Sequence, residues 1–300
     1  MRGGKVAVFG VPSAAGSRGP GTSRAPFVLR EAGLLEALRA AGSTVVNLSD
    51  LSLFPFRDDP ERPGFRNGAV VACAARAAAD EMTRALREGF TIVLGGDCSL
   101  VAGTVGGARA ALGQNVGLVF LDADADLNTE QTSPSGYVNG MALALAMGRG
   151  PLEVTGAGGP PPAVRAEHVA LLGFRALDPG ERGPIGALGL ALPAVAAKKL
   201  GVRTAAALAL EAVENGDGPV LVHLDVDVVD PAEMPAKDTL TPGIGLSLAE
   251  TSDLVAALVA SPRVVALEVC EFNPDLDEGG ACARKIVDVL ARALARRQKS

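Results

Sequence analysis

The sequence lacks several features that would place it in whole classes of protein. It has no tryptophan and one tyrosine, and aromatic residues make up 3% of its 300 residues, so its core has to be aliphatic. No apolar run approaches the roughly 20 residues of a membrane-spanning helix. The short apolar run near the N-terminus is typical of a strand and not of a signal peptide. The net charge of −6 comes without a basic stripe or an RNA-binding aromatic motif, which argues against a nucleic acid partner.

Cysteine and histidine are also scarce. The four cysteines lack the spacing of a zinc ribbon, so we expect reduced thiols in a cytoplasmic protein. They are Cys73, Cys98, Cys270 and Cys282. We expect Cys73, Cys270 and Cys282 to pack in the protein interior. The two histidines are His168, which we place at a strand edge without a role, and His223.

What the chain does have is an alternation of short apolar runs with longer Ala-rich amphipathic segments. The runs are continuously apolar, which is typical of strands buried on both faces of a parallel sheet. The predicted strands are KVAVFG from Lys5, STVVNL from Ser43, FTIVLGG from Phe90, VGLVFLDAD from Val116, HVALLGF from His168, PVLVHLDVD from Pro219 and RVVALEVCEF from Arg263. The predicted helices are 26–41, 69–88, 99–112, 139–148, 203–215, 247–260 and 280–297. We therefore predict one three-layer α/β/α domain over residues 1–300 with a mainly parallel sheet, and a surface loop over 148–162.

Unusual polar residues follow the predicted strands, at the edge where open α/β sheets bind their ligands. Asp122, Asp124 and Asp126 follow one strand, and Asp225 and Asp227 end another. So many carboxylates would repel one another, and a divalent cation bound by their oxygens removes that repulsion. A single such aspartate is more often a solvated loop residue or a helix cap, and that alternative stays open here. We interpret Asp97 and Asp230 in this structural way.

Five motifs then resemble the ureohydrolases, the family of arginases and agmatinases. GGDCS at 95–99 resembles the family's GGDHS, and DADADLN at 122–128 resembles DAHxDxN. SGYVNG at 135–140 resembles SGNLHG, HLDVDVVDP at 223–231 resembles SFDVDxxDP, and EFNP at 271–274 resembles EVNP. Their order agrees with the family over essentially the whole chain.

The resemblance implies an eight-stranded parallel sheet and a binuclear manganese site whose bridging hydroxide attacks a guanidinium carbon. One metal would be bound by Cys98, Asp122, Asp126 and Asp225. The other would be bound by Asp122, Asp124, Asp225 and Asp227. Glu271 would pair with the guanidinium, and Asp126, Asn139 and Glu271 are the catalytic candidates. Trimers and hexamers are common in the family, so the resemblance also implies a homo-oligomer.

Within the family, the arginase branch is the more similar one. RALDPGE at 175–181 resembles the arginase RDVDPGE, which implies that Asp178 and Glu181 hold the α-ammonium of an amino-acid substrate. Asn128 and Ser135 fall where arginases hold the α-carboxylate. The alternative for this segment is a plain turn with a surface glutamate.

Three family histidines are replaced. Cys98 and Asp124 stand where the family motifs have metal ligands, and Asn139 stands where they have a histidine thought to transfer protons. A thiolate favours zinc or iron over manganese, whereas Asp124 makes the second metal set all-oxygen and suited to a hard ion. Asn139 cannot transfer a proton at neutral pH. The alternatives are that Cys98 is a small buried hydrophobe, that Asn139 is a helix N-cap and that His223 is a core residue.

Three hypotheses for the function follow. The first is an arginase-like hydrolase that cleaves the guanidinium group of L-arginine or of a modified arginine such as N-hydroxy-L-arginine. The second is a catalytically impaired relative that binds an amino acid or serves as a partner protein. The third is an enzyme of specialised metabolism with a changed reaction.

Overall fold

A computed structural model describes residues 4–57, 59, 61–213, 218–238 and 240–299. Eight parallel strands form one sheet in the order β2-β1-β3-β8-β7-β4-β5-β6. The strands are β1 Lys5–Val11, β2 Thr44–Asn47, β3 Phe90–Gly95, β4 Gly117–Leu121, β5 Val169–Leu172, β6 Leu190–Leu192, β7 Val220–Asp225 and β8 Val264–Cys270. The predicted parallel sheet is thereby confirmed.

Helices cover both faces of the sheet. They are α1 Ala25–Glu31, α2 Leu34–Ala40, α3 Gly68–Ala85, α4 Val101–Leu112, α5 Ala142–Ala146, α6 Leu152–Thr155, α7 Ala194–Leu200, α8 Val202–Ala212, α9 Leu248–Val259 and α10 Ala281–Arg297. In the ranges that the structure describes, none of them is both long and apolar enough to cross a bilayer.

Side chains alternate between the two faces of the sheet along each strand, and each face packs into its own hydrophobic core. In β1, Val6 and Val8 join the core formed with α1, α2, α8, α9 and α10. Ala7 and Phe9 point to the other face and join the core formed with α3, α4, α5 and α6. Both faces are buried, which explains why the strand segments are continuously apolar.

Several element boundaries differ from the predicted ones. The helix predicted over 26–41 is two helices, because Gly33 has a left-handed φ of 86° that ends the first. The segment 148–162 contains the short helix α6, and β6 and α7 were not predicted. The last two residues of the helix predicted over 203–215 lie outside the described residues. Packing of Cys73 in the interior was a wrong prediction, because Cys73 lies on the exposed side of α3.

Helices α3 and α4 pack backbone against backbone. A Cβ atom on Gly103 would lie 2.1 Å from the carbonyl oxygen of Ala75, and one on Gly107 would lie 2.3 Å from that of Ala79. Only glycine permits the two helices to lie this close together.

Candidate metal centre and substrate pocket

The strand order brings four strand ends together in the middle of the sheet. Strands β3, β8, β7 and β4 are consecutive neighbours, and their carboxyl ends lead to Cys98, Glu271, Asp225 and Asp122. All four side chains are buried. The four residues are far apart in the sequence but adjacent in the sheet, as the placement of ligand sites in open α/β sheets predicts.

Two groups of potential metal ligands share Asp122. Cys98, Asp122 and Asp225 place one ligand atom each within 4.8 Å of one another, and so do Asp122, Asp124 and Asp227. Oxygen Oδ2 of Asp122 is buried and has no hydrogen-bond partner among the described residues. A buried, unpaired carboxylate oxygen between other acidic groups is suited to bind a divalent cation.

Burial and mutual repulsion shift the titration of these aspartates. Burial, followed by the charge of a neighbouring aspartate, raises the pKa of Asp122, Asp126 and Asp225 well above the ordinary value. Burial also raises the pKa of Asp124. The cluster therefore favours protons or bound cations over free charges.

Lys237 lies inside this acidic cluster, and the sequence analysis missed it. Its ammonium is 3.2 Å from Asp225 Oδ2 and is also bonded to Asp227 Oδ2, and its side chain is only 7% exposed. Burial alone would lower the pKa of Lys237, but Asp225 and Asp227 raise it well above its usual range. For Asp227, burial is outweighed by the charge of Lys237, and its pKa is lowered. The available signal was that Lys237 is the only basic residue between Asp225 and Ser247.

Glu271 sits at the end of β8 in a strained backbone conformation. Its φ is 67°, and Asp126, which follows β4 at the same edge of the sheet, has a φ of 52°; both values lie in the region that L-residues avoid. The Glu271 amide is held by the carbonyl of Gly96 at 2.7 Å. Such strain persists where the surroundings hold a residue for a functional geometry.

Only one of the two Glu271 carboxylate oxygens is hydrogen-bonded among the described residues. Its Oε1 accepts the Cys98 amide at 3.0 Å and the Asn139 side-chain amide at 3.3 Å, whereas Oε2 is buried without a partner among the described residues. Burial raises the pKa of Glu271 to about 7, and Lys237 opposes that shift. Asn139 does not cap the following helix α5, whose N-cap is Met141.

A pocket of about 280 Å³ opens above these groups. It is lined by most of the predicted site residues, namely Cys98, Asp124, Asp126, Asn128, Ser135, Asn139, Asp178, Glu181, Asp225 and Glu271. Asp122 and Asp227 do not line it and lie buried within the same acidic cluster. The structure thus brings the predicted metal and substrate residues together at one place.

The predicted amino-acid end of the pocket is tied to the backbone. Asn128 donates its side-chain amide to Asp178 Oδ2 at 2.9 Å. Glu181 accepts the amides of Leu127 at 2.9 Å and Asp178 at 2.8 Å, so its carboxylate fixes two loops to each other. Burial raises the pKa of Glu181, and the two backbone amides oppose the shift.

The other residues singled out in the sequence have structural positions. His223 stacks on Phe120 at 4.3 Å between ring centroids and pairs with Glu268 at 2.7 Å, fully buried in the sheet. Asp97 accepts the amides of Gly16 and Ser99, and Asp230 those of Ala232 and Gly245. His168 precedes β5, at the strand end away from the pocket.

An all-parallel α/β sheet with a buried carboxylate cluster at its carboxyl edge defines the class of this protein as an α/β protein with a candidate metal centre. A sequence model of the Arginase family matches residues 4–295. The arginase of Bacillus caldovelox is 31% identical over 289 residues, covering 95% of this chain and 96% of that protein. The arginase of Agrobacterium fabrum is 32% identical over 298 residues, covering 97% and 90%.

Solved structures agree with the sequence comparison. The native structure of Bacillus caldovelox arginase has a TM-score of 0.89 at 30% identity and covers 97% of this chain and 98% of that one. The chain belongs to the arginase family. Its homologues are hydrolases that act on the C–N bonds of amidines, and family members are generally binuclear metal enzymes.

Proposed function

We propose that this protein is an amidinohydrolase that cleaves the guanidinium group of L-arginine or of a modified arginine such as N-hydroxy-L-arginine. The observation that carries the proposal is the unpartnered oxygen of Glu271 in a buried acidic pocket. A planar guanidinium offers paired N–H donors, which a carboxylate accepts better than any other side chain does.

The residues of the pocket divide into two ends. Glu271 accepts the guanidinium N–H groups, and Asn139 holds its other oxygen in place. Asp178 and Glu181 bind the α-ammonium at the far end, beside Asn128 and Ser135, which bind the α-carboxylate. The distance between the two ends sets the length of the side chain that the pocket accepts.

The metal role is part of the same proposal. Cys98, Asp122, Asp124, Asp126, Asp225 and Asp227 are the residues proposed to hold metal. With a divalent cation held by these residues, a hydroxide nucleophile would be available at neutral pH and developing negative charge would be offset. Manganese, a cytoplasmic location and a homo-oligomer are proposed from the family resemblance.

Asn139 favours a substrate that does not depend on a protonating side chain at this position. An amide donates a hydrogen bond but cannot deliver a proton to the departing amine. Loss of such an acid typically lowers a rate by about 10² to 10⁴. In N-hydroxy-L-arginine the departing amine is still that of ornithine, but the hydroxyl group puts a proton donor on the substrate itself, which changes the need for that acid.

The test is a turnover assay with two substrates. Purified protein reconstituted with Mn²⁺, or in parallel with Co²⁺, is incubated separately with L-arginine and N-hydroxy-L-arginine, and ornithine, urea and hydroxyurea are quantified by mass spectrometry. We expect product from at least one compound, and its loss in Glu271→Gln, because the amide cannot accept both guanidinium N–H groups. Glu278→Gln is the matched control, since Glu278 is an exposed residue seven positions further along the chain. Absence of product from both compounds contradicts the proposal.

A second candidate function is amino-acid binding without turnover. The observation that favours it is the ammonium of Lys237 bonded to two of the proposed metal ligands. Calorimetry with L-arginine in the presence of EDTA distinguishes the two functions, because only a binding protein of this kind retains its affinity without metal.

A further inference from the structure

Lys237 is a buried cation in the middle of residues that would otherwise bind metal. A lysine is rarely buried to this extent unless acidic partners surround it, and here both partners are themselves buried. The connection is short in sequence, since Lys237 follows Asp225 in the segment between β7 and α9. The acidic pair and its cation therefore form one local unit.

The oxygens of this pair are already engaged. Asp225 Oδ1 accepts the Asp227 amide at 2.9 Å, and its Oδ2 accepts both Lys237 and the Cys98 thiol. Asp227 Oδ1 accepts the Ala123 amide at 3.1 Å, and its Oδ2 accepts Lys237. A metal ion bound by both carboxylates would have to displace the ammonium or lie directly against it, and like charges at such separations repel.

The other donors of the cluster remain available. Asp122 Oδ2 is buried, unpartnered and close to Cys98 and Asp225. Asp126 lines the pocket beside them. One ammonium offsets only one of five aspartates, so this side of the cluster still attracts a divalent cation.

We propose that the Lys237 ammonium permanently takes the place of one of two divalent cations, so that the chain binds a single metal ion, at the group formed by Cys98, Asp122 and Asp225, with Asp126 lining the pocket beside it. The ion is thereby assigned to the group that contains the thiol, which favours zinc, iron or cobalt over manganese. This inference rests on the metal site of the proposed function but not on its substrate.

The experiment is a titration of the metal-free, reduced protein with Co²⁺ under anaerobic conditions, followed by absorption. A cobalt–thiolate bond gives a near-ultraviolet charge-transfer band, so the titration reports both the number of ions and the participation of Cys98. For the wild-type protein we expect one equivalent per chain, together with that band. Two equivalents, or none, overturn the inference.

Variants of Lys237 separate its charge from its packing. Lys237→Met keeps most of the side-chain volume without the charge, and we expect it to bind a second equivalent. Lys237→Arg keeps the charge and should still bind one, whereas Cys98→Ser should lose the thiolate band. Circular dichroism verifies that each variant is folded, and a folded Lys237→Met that still binds one equivalent overturns the role of Lys237.

The result is independent of turnover. One bound ion without product from either substrate leaves this inference standing and contradicts the proposed reaction. Product formation with two bound ions supports the proposed reaction and overturns the single-ion inference.

Discussion

At the scale of single residues, the site differs from the family motifs at Cys98, Asp124 and Asn139, the positions that affect metal binding and proton transfer. The aspartates could be predicted because each follows an apolar strand, and strand ends meet at one edge of a sheet. The position of Lys237 could not be predicted in the same way. The conformation of the loop between β7 and α9 directs its ammonium to Asp225 and Asp227, and a loop conformation leaves no periodic pattern in the sequence. The contact between Asn139 and Glu271 likewise depends on loop geometry.

The position of Asn139 leads to a prediction about catalysis. Asn139→His places an ionisable group beside Glu271, and we expect the turnover of L-arginine to rise at least about tenfold, because general acids typically contribute about 10² to 10⁴. Release of urea under saturating substrate measures the effect. The control is Asn139→Gln, which keeps an amide and should give no gain. An unchanged or lower turnover in the histidine variant would show that this position does not limit the reaction.

At the scale of elements, apolar runs predicted the strands that are buried on both faces of the sheet, but they did not predict the edge strand β6. Strand β6 has three residues, Leu190–Leu192, too few for a pattern to be recognised. Helix boundaries were displaced where a single residue ends the helix, as Gly33 does between α1 and α2. The close packing of α3 on α4 was not visible either, because glycines within a helix normally weaken it and do not by themselves indicate contact.

That helix packing gives a prediction about stability. Gly103→Ala places a Cβ atom 2.1 Å from the carbonyl oxygen of Ala75, so the helices have to separate. We expect a loss of unfolding free energy of about 1–3 kcal/mol or more, as is usual for overpacked interiors. Urea denaturation measures the loss.

The matched control is Gly183→Ala. A Cβ atom there meets no heavy atom within 4 Å, and Gly183 has an ordinary helical φ of −77°. We expect its unfolding free energy to stay within about 0.5 kcal/mol of the wild type. Equal losses in both variants would refute the importance of this contact.

At the scale of the whole molecule, the fold concentrates acidic groups at a cost to its own stability. Burial raises the pKa of Glu271 from 4.5 to about 7, and burial with the charge of neighbouring aspartates raises the pKa of Asp122, Asp126 and Asp225 well above the ordinary value. Across this range the native state binds more protons than the unfolded chain. The unfolding free energy therefore decreases with rising pH in that window.

The expected outcome is measurable on metal-free protein. In EDTA its unfolding free energy should fall between pH 5 and pH 8, by roughly 1.4 kcal/mol for each unit by which folding raises a pKa within this interval. Its melting temperature should fall over the same interval. Added divalent cation should restore the stability at pH 8, and Glu271→Gln should make the dependence weaker. A melting temperature that rises over this interval would show that the carboxylates are ionised without penalty.

The outermost strands of the sheet have a consequence for how the protein behaves at high concentration. Strands β2 and β6 lie at the two rims and are only four and three residues long. A rim of that length offers an incoming chain few backbone amides and carbonyls to pair with, which protects against amyloid-like association. The short edge strands therefore limit edge-to-edge pairing of this broad, strongly apolar sheet with other chains.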